Sequence, residues 1–189
     1  MVTKNPDQIF YYSLSETSMG WIGIAGNEKG LRRLILPERT KEGILAELNR
    51  YFKSSIKLIP ADEQFFSVIE KIKEYFTGKR TLFKEEEINL DDYTIFQKNV
   101  LLKTRAIPYG VTRTYRWIAE QAGYPRAYRA VGGVMRINPI PLIIPCHRVI
   151  GSYGKLTGFS ATGGIALKRS MLQLEGIPTR DLHHGNKRK

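Results

Sequence analysis

Alternating apolar and polar residues occupy three short segments in the first third of the chain. The segments are 9–14, 20–25 and 31–36, with polar or glycine-containing stretches between them. Successive side chains of a β-strand point to opposite faces, so this alternation is typical of strands with one buried face. The pattern predicts an antiparallel three-stranded meander.

Apolar residues at helical spacing follow the meander. Thr40 is placed to cap a helix over 41–52, and Asp62 to cap a second helix that continues to about residue 76. Both residue types accept hydrogen bonds from the first amides of a helix. Strands and helices together predict an α/β domain.

The segment 77–92 is predicted to be a solvated connector, because it contains the acidic run 85–87. We place the domain boundary at its end. The chain then divides into an N-terminal domain, 1–92, and a C-terminal domain with a basic tail, 93–189.

Charge differs sharply between these two domains. The first carries 14 Lys and Arg against 15 Asp and Glu, net −1, and the second carries 16 against 3, net +13. A basic surface serves solubility in many proteins, but a concentration of this size favours a polyanionic partner such as nucleic acid. The C-terminal domain is the predicted binding half.

Three short helices are predicted at the start of the second domain, over 94–106, 113–122 and 125–137. Gly123 provides the turn between the second and third. Two short helices joined in this way are typical of a helix-turn-helix.

Two glycines, Gly132 and Gly133, lie inside the third of these helices. Each costs a helix about 1 kcal/mol relative to alanine, so the absence of side chains should have a purpose. Either the helix packs tightly on its own protein, or a bulky partner such as a nucleic-acid backbone comes close to it.

The only cysteine, Cys146, lies within a proline-rich apolar stretch, 138–150. A lone cysteine is ordinarily a small buried hydrophobe, but His147 and Arg148 beside it could supply a base and a positive field. Neighbouring side chains of an extended chain point apart, so His147 can serve Cys146 only through an intervening turn or a bridging water. The sequence leaves both open.

Composition excludes several classes of protein. One cysteine and three histidines exclude an internal disulfide and a zinc cluster, and we expect neither metal nor cofactor. No stretch approaches the ~20 apolar residues of a membrane span, and residues 1–7 lack a signal core. We expect a soluble cytoplasmic protein without a membrane partner.

Four segments, 107–110, 129–139, 145–150 and 174–176, together resemble the O6-alkylguanine-DNA alkyltransferase family. The resemblance implies a ribonuclease-H-like α/β domain followed by a mainly α domain with a winged helix-turn-helix. It implies that a monomer repairs duplex DNA by irreversible, single-turnover transfer of an alkyl group from O6-alkylguanine, and also from O4-alkylthymine, to cysteine.

The same resemblance assigns roles at the reacting centre. Cys146 would accept the alkyl group, and His147 would act as its base through a water. Glu175 would orient His147, as a carboxylate fixes a catalytic imidazole. Asn138 would hold the proline-rich strut, and Tyr115 would hydrogen-bond the lesion base and donate a proton to it.

Binding roles follow by the same resemblance. Arg129 would enter the duplex in place of the flipped base. The other DNA-contacting positions would be Tyr115, Arg126, Gly132, Gly133 and Arg136. The substrate pocket would be lined by Pro141, Val149 and Ser160.

Two features depart from the family pattern. The stretch 159–164 is about two residues longer than the shortest family versions, which affects the position of Ser160. The zinc ligands that some members carry in the N-terminal domain are absent, since no cysteine precedes Cys146.

Three other functions compete with repair. A non-catalytic relative that senses alkylated guanine would lack Cys146, and a helix-turn-helix transcription regulator would leave 145–148 unexplained. The third alternative is a Cys-His hydrolase, which is less favoured because it needs water to regenerate its thiol.

Overall fold

A mixed four-stranded sheet of order β3-β2-β1-β4 forms the centre of the first of two compact units, Met1–Tyr93. The computed structural model describes residues 9–52, 56–179 and 182. Strands β1 (Ile9–Thr17), β2 (Gly20–Asn27) and β3 (Gly30–Glu38) form the antiparallel meander that the alternation predicts.

The prediction of a three-stranded sheet was wrong by one strand. Strand β4 (Lys57–Pro60) pairs in parallel with β1. It has four residues, ends in a proline that has no amide hydrogen, and joins the sheet after a helix rather than through a hairpin. None of these features produces the local alternation from which strands are predicted.

Two helices accompany the sheet, at the predicted positions. Helix α1 (Lys41–Phe52) buries Ile44, Leu48 and Phe52 in the core, and Thr40 caps it through a 3.1 Å hydrogen bond from the Gly43 amide. An added Cβ at Gly23 of β2 would lie 2.3 Å from Ile44. The helix therefore packs directly against the strand backbone.

Helix α2 (Asp62–Phe76) packs along β1. The prediction that Asp62 caps it was wrong, because the N-cap residue is Ala61. The carboxylate of Asp62 instead accepts a 2.6 Å hydrogen bond from the hydroxyl of Ser13 on β1. The aspartate thus fastens the helix to the sheet.

The segment 77–92 is not the predicted solvated connector. The amide of Leu31 donates to the carbonyl of Glu87, and the amide of Asn89 donates back to Leu31, each at 2.8 Å. Gly30 has a φ of +111°, and an added Cβ there would lie 2.6 Å from the Glu87 carbonyl. The segment is an ordered strap along the edge of β3.

Buried charges fasten the end of this strap. Arg32 is 3% exposed, forms an ion pair with Asp92 and donates a 3.1 Å hydrogen bond to the carbonyl of Asn89. Its guanidinium also lies 5.6 Å from the centre of the Tyr93 ring. The carboxylate of Asp92 is therefore structural, which the charge pattern of the segment alone did not indicate.

The second unit, Thr94–Lys189, is mainly helical. Helices α3 (Ile95–Arg105), α4 (Tyr115–Gln121) and α5 (Tyr128–Arg136) match the three predicted helices, although Pro125 lies in the preceding turn and not in α5. Thr94 caps α3 in a reciprocal capping box with Gln97.

The remaining elements of this unit position the motifs that the sequence analysis identified. Strands β5 (Arg113–Thr114) and β6 (Val149–Ile150) form a short parallel pair. A fourth helix, α6 (Gly164–Leu174), ends at Glu175 and was not predicted. The predicted basic tail beyond residue 182 lies outside the described residues.

We predict that Asp92→Ala lowers the free energy of unfolding by about 3 kcal/mol, because the buried guanidinium of Arg32 loses its carboxylate partner. Urea denaturation followed by circular dichroism measures the change. Asp91→Ala is the matched control, since the Asp91–Lys29 pair is exposed on both sides and should contribute far less. Equal effects of the two substitutions would contradict a structural role for the buried pair.

Candidate active site

A buried carboxylate connects three segments of the second unit. Glu175, at the end of α6, is 5% exposed. Its Oε1 lies 2.6 Å from Nε2 of His147 and accepts from Arg148 at 3.0 Å. Its Oε2 accepts from Nε of Arg148 at 2.8 Å and from the amide of Gly110 at 3.1 Å. The carboxylate thus fixes the residues that follow the cysteine.

The charge state of this carboxylate is set by its partners. Burial opposes ionisation of Glu175, but the hydrogen bonds from His147 and Arg148 and the positive charge of Arg148 outweigh it and lower its pKa to about 2. The ionised carboxylate accepts the proton of Nε2, which leaves Nδ1 as the basic nitrogen of a neutral imidazole. Burial lowers the pKa of His147, so the ring is neutral at physiological pH.

The segment 107–110 contacts the same residues. Arg148 donates a 2.7 Å hydrogen bond to the carbonyl of Ile107 and stacks 5.7 Å from the centre of the Tyr109 ring. The hydroxyl of Tyr109 donates to the carbonyl of Leu174 at 2.8 Å. This contact explains why the short motif near residue 108 accompanies the cysteine motif in the sequence.

Cys146 begins a single 3₁₀ turn, Cys146–Arg148, after Pro145. The sequence left open whether a turn or a bridging water brings His147 to Cys146. The structure contains the turn, which includes both residues. Both are buried, Cys146 at 7% exposure and His147 at 0%.

Asn138 supports the turn that leads to the cysteine. Its side chain donates to the carbonyl of Ile144 at 2.8 Å and accepts from the amide of Ile140 at 3.1 Å. Within this loop Leu142 is buried with a φ of +76°, a region that L-residues avoid. The hydrogen bonds of Asn138 offset that strain and fix the path to Cys146.

The surroundings of the thiol keep it protonated at rest. Burial raises the pKa of Cys146, while a hydrogen bond with Asn138 and the charge of Lys168 act in the opposite direction without overcoming it. The expected positive field is therefore present but does not by itself ionise the thiol. A neutral thiol and a neutral imidazole lie next to each other along the chain.

Lys168 is the residue that sequence analysis missed. It is fully buried, and its ammonium donates to the carbonyls of Val149 at 2.6 Å and Thr157 at 3.1 Å. Burial lowers its pKa to about 8, against the charge of Cys146. The available signal was one lysine among the buried apolar residues of α6, which include Leu167 and Met171.

A cavity of about 430 Å³ is formed by the start of α4, helix α5 and the segment 158–160, and neither Cys146 nor His147 lines it. It is lined by Tyr115, Arg129, Gly132, Gly133, Met135, Arg136, Gly158, Phe159 and Ser160. Tyr115, the first residue of α4, donates a 3.3 Å hydrogen bond to the carbonyl of Thr157. Burial raises the pKa of Tyr115, so its hydroxyl keeps its proton. Ser160 donates to the carbonyl of Arg136 at 3.0 Å and closes the rim.

The remaining predicted residues are placed differently. Pro141 and Val149 do not line this cavity. Val149 is fully buried in β6 and holds Lys168 through its carbonyl, while Pro141 bridges Ile144. Arg126 is exposed in the turn before α5 and lies outside the cavity lining.

The two glycines of α5 are not required by packing within the protein. An added Cβ at Gly132 would lie 4.0 Å from Tyr115, and one at Gly133 would meet no described atom within 4 Å. The interpretation of tight internal packing was therefore wrong. Space is kept open along a helix face that also exposes Arg129 and Arg136.

Other features of the described chain bear on partners. None of the described helices is long and apolar enough to cross a membrane. Across residues 9–52, 56–179 and 182, no group of three or more His, Cys, Asp or Glu side chains could hold a metal ion.

Comparison with known proteins gives two family matches. A family model described as "6-O-methylguanine DNA methyltransferase, ribonuclease-like domain" matches residues 10–90. A second, "6-O-methylguanine DNA methyltransferase, DNA binding domain", matches residues 95–177. Together they span most of the chain.

Individual relatives agree with these matches. The methylated-DNA–protein-cysteine methyltransferase of Methanosarcina barkeri is 42% identical over 172 residues, covering 87% of this chain and 96% of that protein. That of Mycobacterium tuberculosis is 38% identical over 167 residues, covering 88% and 93%.

Solved structures are similar as well. The crystal structure of Mycobacterium tuberculosis O6-methylguanine methyltransferase matches with a TM-score of 0.70 at 38% identity, covering 88% of this chain and 92% of that one. A crystal structure of Mycobacterium tuberculosis OGT in complex with DNA matches with a TM-score of 0.70 at 37% identity, covering 87% and 92%.

We predict that Lys168→Met moves the pH profile of Cys146 alkylation by iodoacetamide to higher pH. The positive charge of Lys168 lowers the pKa of the thiol, so removing it raises that pKa and less thiolate is present at a given pH. The pH profile is measured by mass spectrometry of samples in which alkylation was stopped after a fixed time at each pH.

Arg169→Met is the matched control for this substitution. It removes an equal charge from the next residue of α6, whose guanidinium donates to the carbonyl of Thr179 at 2.6 Å. The pH profile of Arg169→Met should coincide with that of the protein without substitutions. A Lys168→Met profile that also coincides would show that the lysine does not act on the thiol.

Proposed function

The chain belongs to the 6-O-methylguanine DNA methyltransferase family of DNA repair enzymes, and we propose that Cys146 is the residue to which it transfers the alkyl group. The observation that carries this assignment is the position of the only thiol in the chain. It precedes His147, which Glu175 orients at 2.6 Å, within the unit that carries the basic helix face.

We propose a direct displacement. His147 accepts the thiol proton at Nδ1 through a bound water, because Nε2 is engaged by Glu175. The sulfur attacks the alkyl carbon, the bond from that carbon to O6 breaks, and its electrons remain on guanine. Tyr115, whose hydroxyl keeps its proton, protonates the departing base and regains a proton from solvent.

The product of this displacement determines how many alkyl groups each protein molecule can accept. Attack leaves a thioether on Cys146, and neither His147 nor Tyr115 can cleave a carbon–sulfur bond by moving protons. We therefore propose one transfer per molecule. The same displacement applies to O4-alkylthymine, which presents an alkyl carbon on an exocyclic oxygen in the same way.

DNA binding is assigned to the second unit. In this proposal α4 and α5 form the helix-turn-helix, the loop after β6 is its wing, and the first domain, 1–92, supports the second, 93–189. Arg129 enters the duplex and holds the gap left by the flipped nucleotide. Gly132 and Gly133 let the phosphate backbone approach α5, which the open space over both glycines supports.

Further contacts follow from charge and position. Arg126, in the turn before α5, and Arg136, the last residue of α5, are exposed and would bind phosphates without reading sequence. The flipped guanine would enter the cavity beside Tyr115, under the rim formed by Ser160 and Arg136. Val149 and Pro141 shape the pocket indirectly through the segments they anchor.

We also propose that the protein acts as a cytoplasmic monomer. All the proposed catalytic groups come from one chain, so a second copy is not needed to complete the site. A reducing compartment keeps the sole thiol available.

We predict that a duplex carrying one O6-methylguanine adds one methyl mass to the peptide that contains Cys146. Liquid chromatography and mass spectrometry of the digested protein locate the added group. Cys146→Ser is the control and should leave the lesion in place. More than one repaired lesion per protein molecule, or a methyl group on another residue, would disprove the proposed mechanism.

We predict that Arg129→Ala slows repair of duplex DNA by about tenfold or more relative to its reaction with free O6-benzylguanine. Only the duplex reaction includes unstacking of a base, which requires a few kcal/mol. Single-turnover rates on the two substrates give the ratio.

Arg126→Ala serves as the matched control, because it removes the same charge outside the cavity. It should weaken duplex binding and reduce the dependence of binding affinity on salt concentration by about one counterion. The ratio of the rates on duplex and free base should change less than it does for Arg129→Ala. Equal losses for Arg129→Ala on both substrates would exclude its insertion into the duplex.

A further inference from the structure

Tyr153 is held in an unusual backbone conformation with its ring in solvent. It exposes 92% of its surface, at a φ of 59° and a ψ of 33°. Non-glycine residues avoid this left-handed region, and large aromatic rings are seldom left this exposed. Neither property is explained by packing within the second unit.

The loop that presents Tyr153 is closed by its own backbone. The amide of Gly151 donates to the carbonyl of Lys155 at 2.7 Å, and the amide of Lys155 donates to the carbonyl of Ser152 at 3.3 Å. An added Cβ at Gly151 would lie 3.2 Å from Lys155. The loop is therefore a tight turn, 151–155, whose tip carries the tyrosine.

This tip borders a second cavity, of about 580 Å³. The cavity shares Tyr115, Arg129 and Gly132 with the cavity that we assign to the flipped nucleotide. The two cavities are therefore adjacent and share these residues. A strand with one nucleotide in the first would continue directly into the second.

The second cavity has a distinctive chemical lining. Tyr128 lies opposite the loop along α5, and its ring has the guanidinium groups of Arg116 and Arg129 at 5.9 and 5.8 Å from its centre. Lys155 and Tyr153 line the other side. Aromatic rings with cations beside them bind nucleotides through base stacking and phosphate contacts, with little dependence on sequence.

We propose that Tyr153 stacks on the base adjacent to the flipped nucleotide in the lesion strand, while Lys155 binds a neighbouring phosphate. The inference rests on the proposed function and extends it, since it assigns a second subsite to the DNA strand. Extrusion of a nucleotide removes one stacking partner of the adjacent base. Arg129 enters the gap itself, and Tyr153 adds a stacking surface for the adjacent base from outside the gap. Tyr153 thus acts as a DNA-positioning residue, without contact with the reacting atoms.

Two substitutions of Tyr153 separate stacking from loop conformation. Tyr153→Asn removes the ring but keeps a residue that tolerates the left-handed region, and Tyr153→Phe keeps the ring. We expect Tyr153→Asn to raise the duplex concentration that gives half-maximal single-turnover rate by about tenfold, the effect of one lost base–aromatic stack. Tyr153→Phe should restore it.

Two results of this comparison would overturn the proposal. One is a duplex dependence of Tyr153→Asn equal to that of the unmodified protein. The other is an equal loss in Tyr153→Phe, because the hydroxyl and not the ring would then be responsible.

Photo-crosslinking identifies the stacked base. Duplexes carry 5-iodouracil on either side of O6-methylguanine, or opposite it in the complementary strand, and the crosslinked peptide is identified by mass spectrometry. We expect Tyr153 to crosslink to an adjacent position in the lesion strand. Crosslinking only to the complementary strand, or to other residues only, would overturn the assignment.

The protein without substitutions distinguishes this inference from the proposed function. If it transfers the methyl group to Cys146 from these duplexes while Tyr153→Asn behaves normally, the stacking role alone is wrong. If it leaves Cys146 unmodified, the proposed acceptor is wrong, and the crosslinks still report on whether Tyr153 contacts DNA.

Discussion

One ionised carboxylate, buried where α6 ends, joins the segments of the second unit that surround the cysteine. Glu175 contacts His147, Arg148 and the amide of Gly110, so three segments far apart in sequence converge on two oxygen atoms. A buried carboxylate is tolerated only when its lone pairs are used and its charge is matched. The guanidinium of Arg148 matches the charge, and together with the imidazole and the Gly110 amide it uses the lone pairs. The stability of the unit is thus tied to the geometry of the groups that we propose to react.

The protonation states follow from the same burial. The thiol of Cys146 and the imidazole of His147 are both kept neutral at rest, since burial raises the first pKa and lowers the second. A protein with a free thiolate would react with many electrophiles. In the mechanism that we propose, the thiol ionises only by proton transfer to the neighbouring ring.

Local patterns allowed the meander and helices α1 to α5 to be predicted, because each element has its own periodicity. Strand β4 depends on a parallel partner distant in sequence, and the acidic strap on a buried arginine, so neither had a local signal. The resemblance supplied Glu175 and His147 through their motifs. Lys168 was missed because α6 was not predicted, and a charged residue becomes notable only once its helix face is known to be buried.

The solitary sulfur atom has a practical consequence for anyone who handles this protein. Since Cys146 is the only cysteine among 189 residues and is almost completely covered, a colorimetric count of sulfhydryl groups after denaturation has no background from other sites. The count before denaturation reports how well the interior is closed. A preparation can thus be assayed for folded molecules with an unreacted thiol by a spectrophotometer alone.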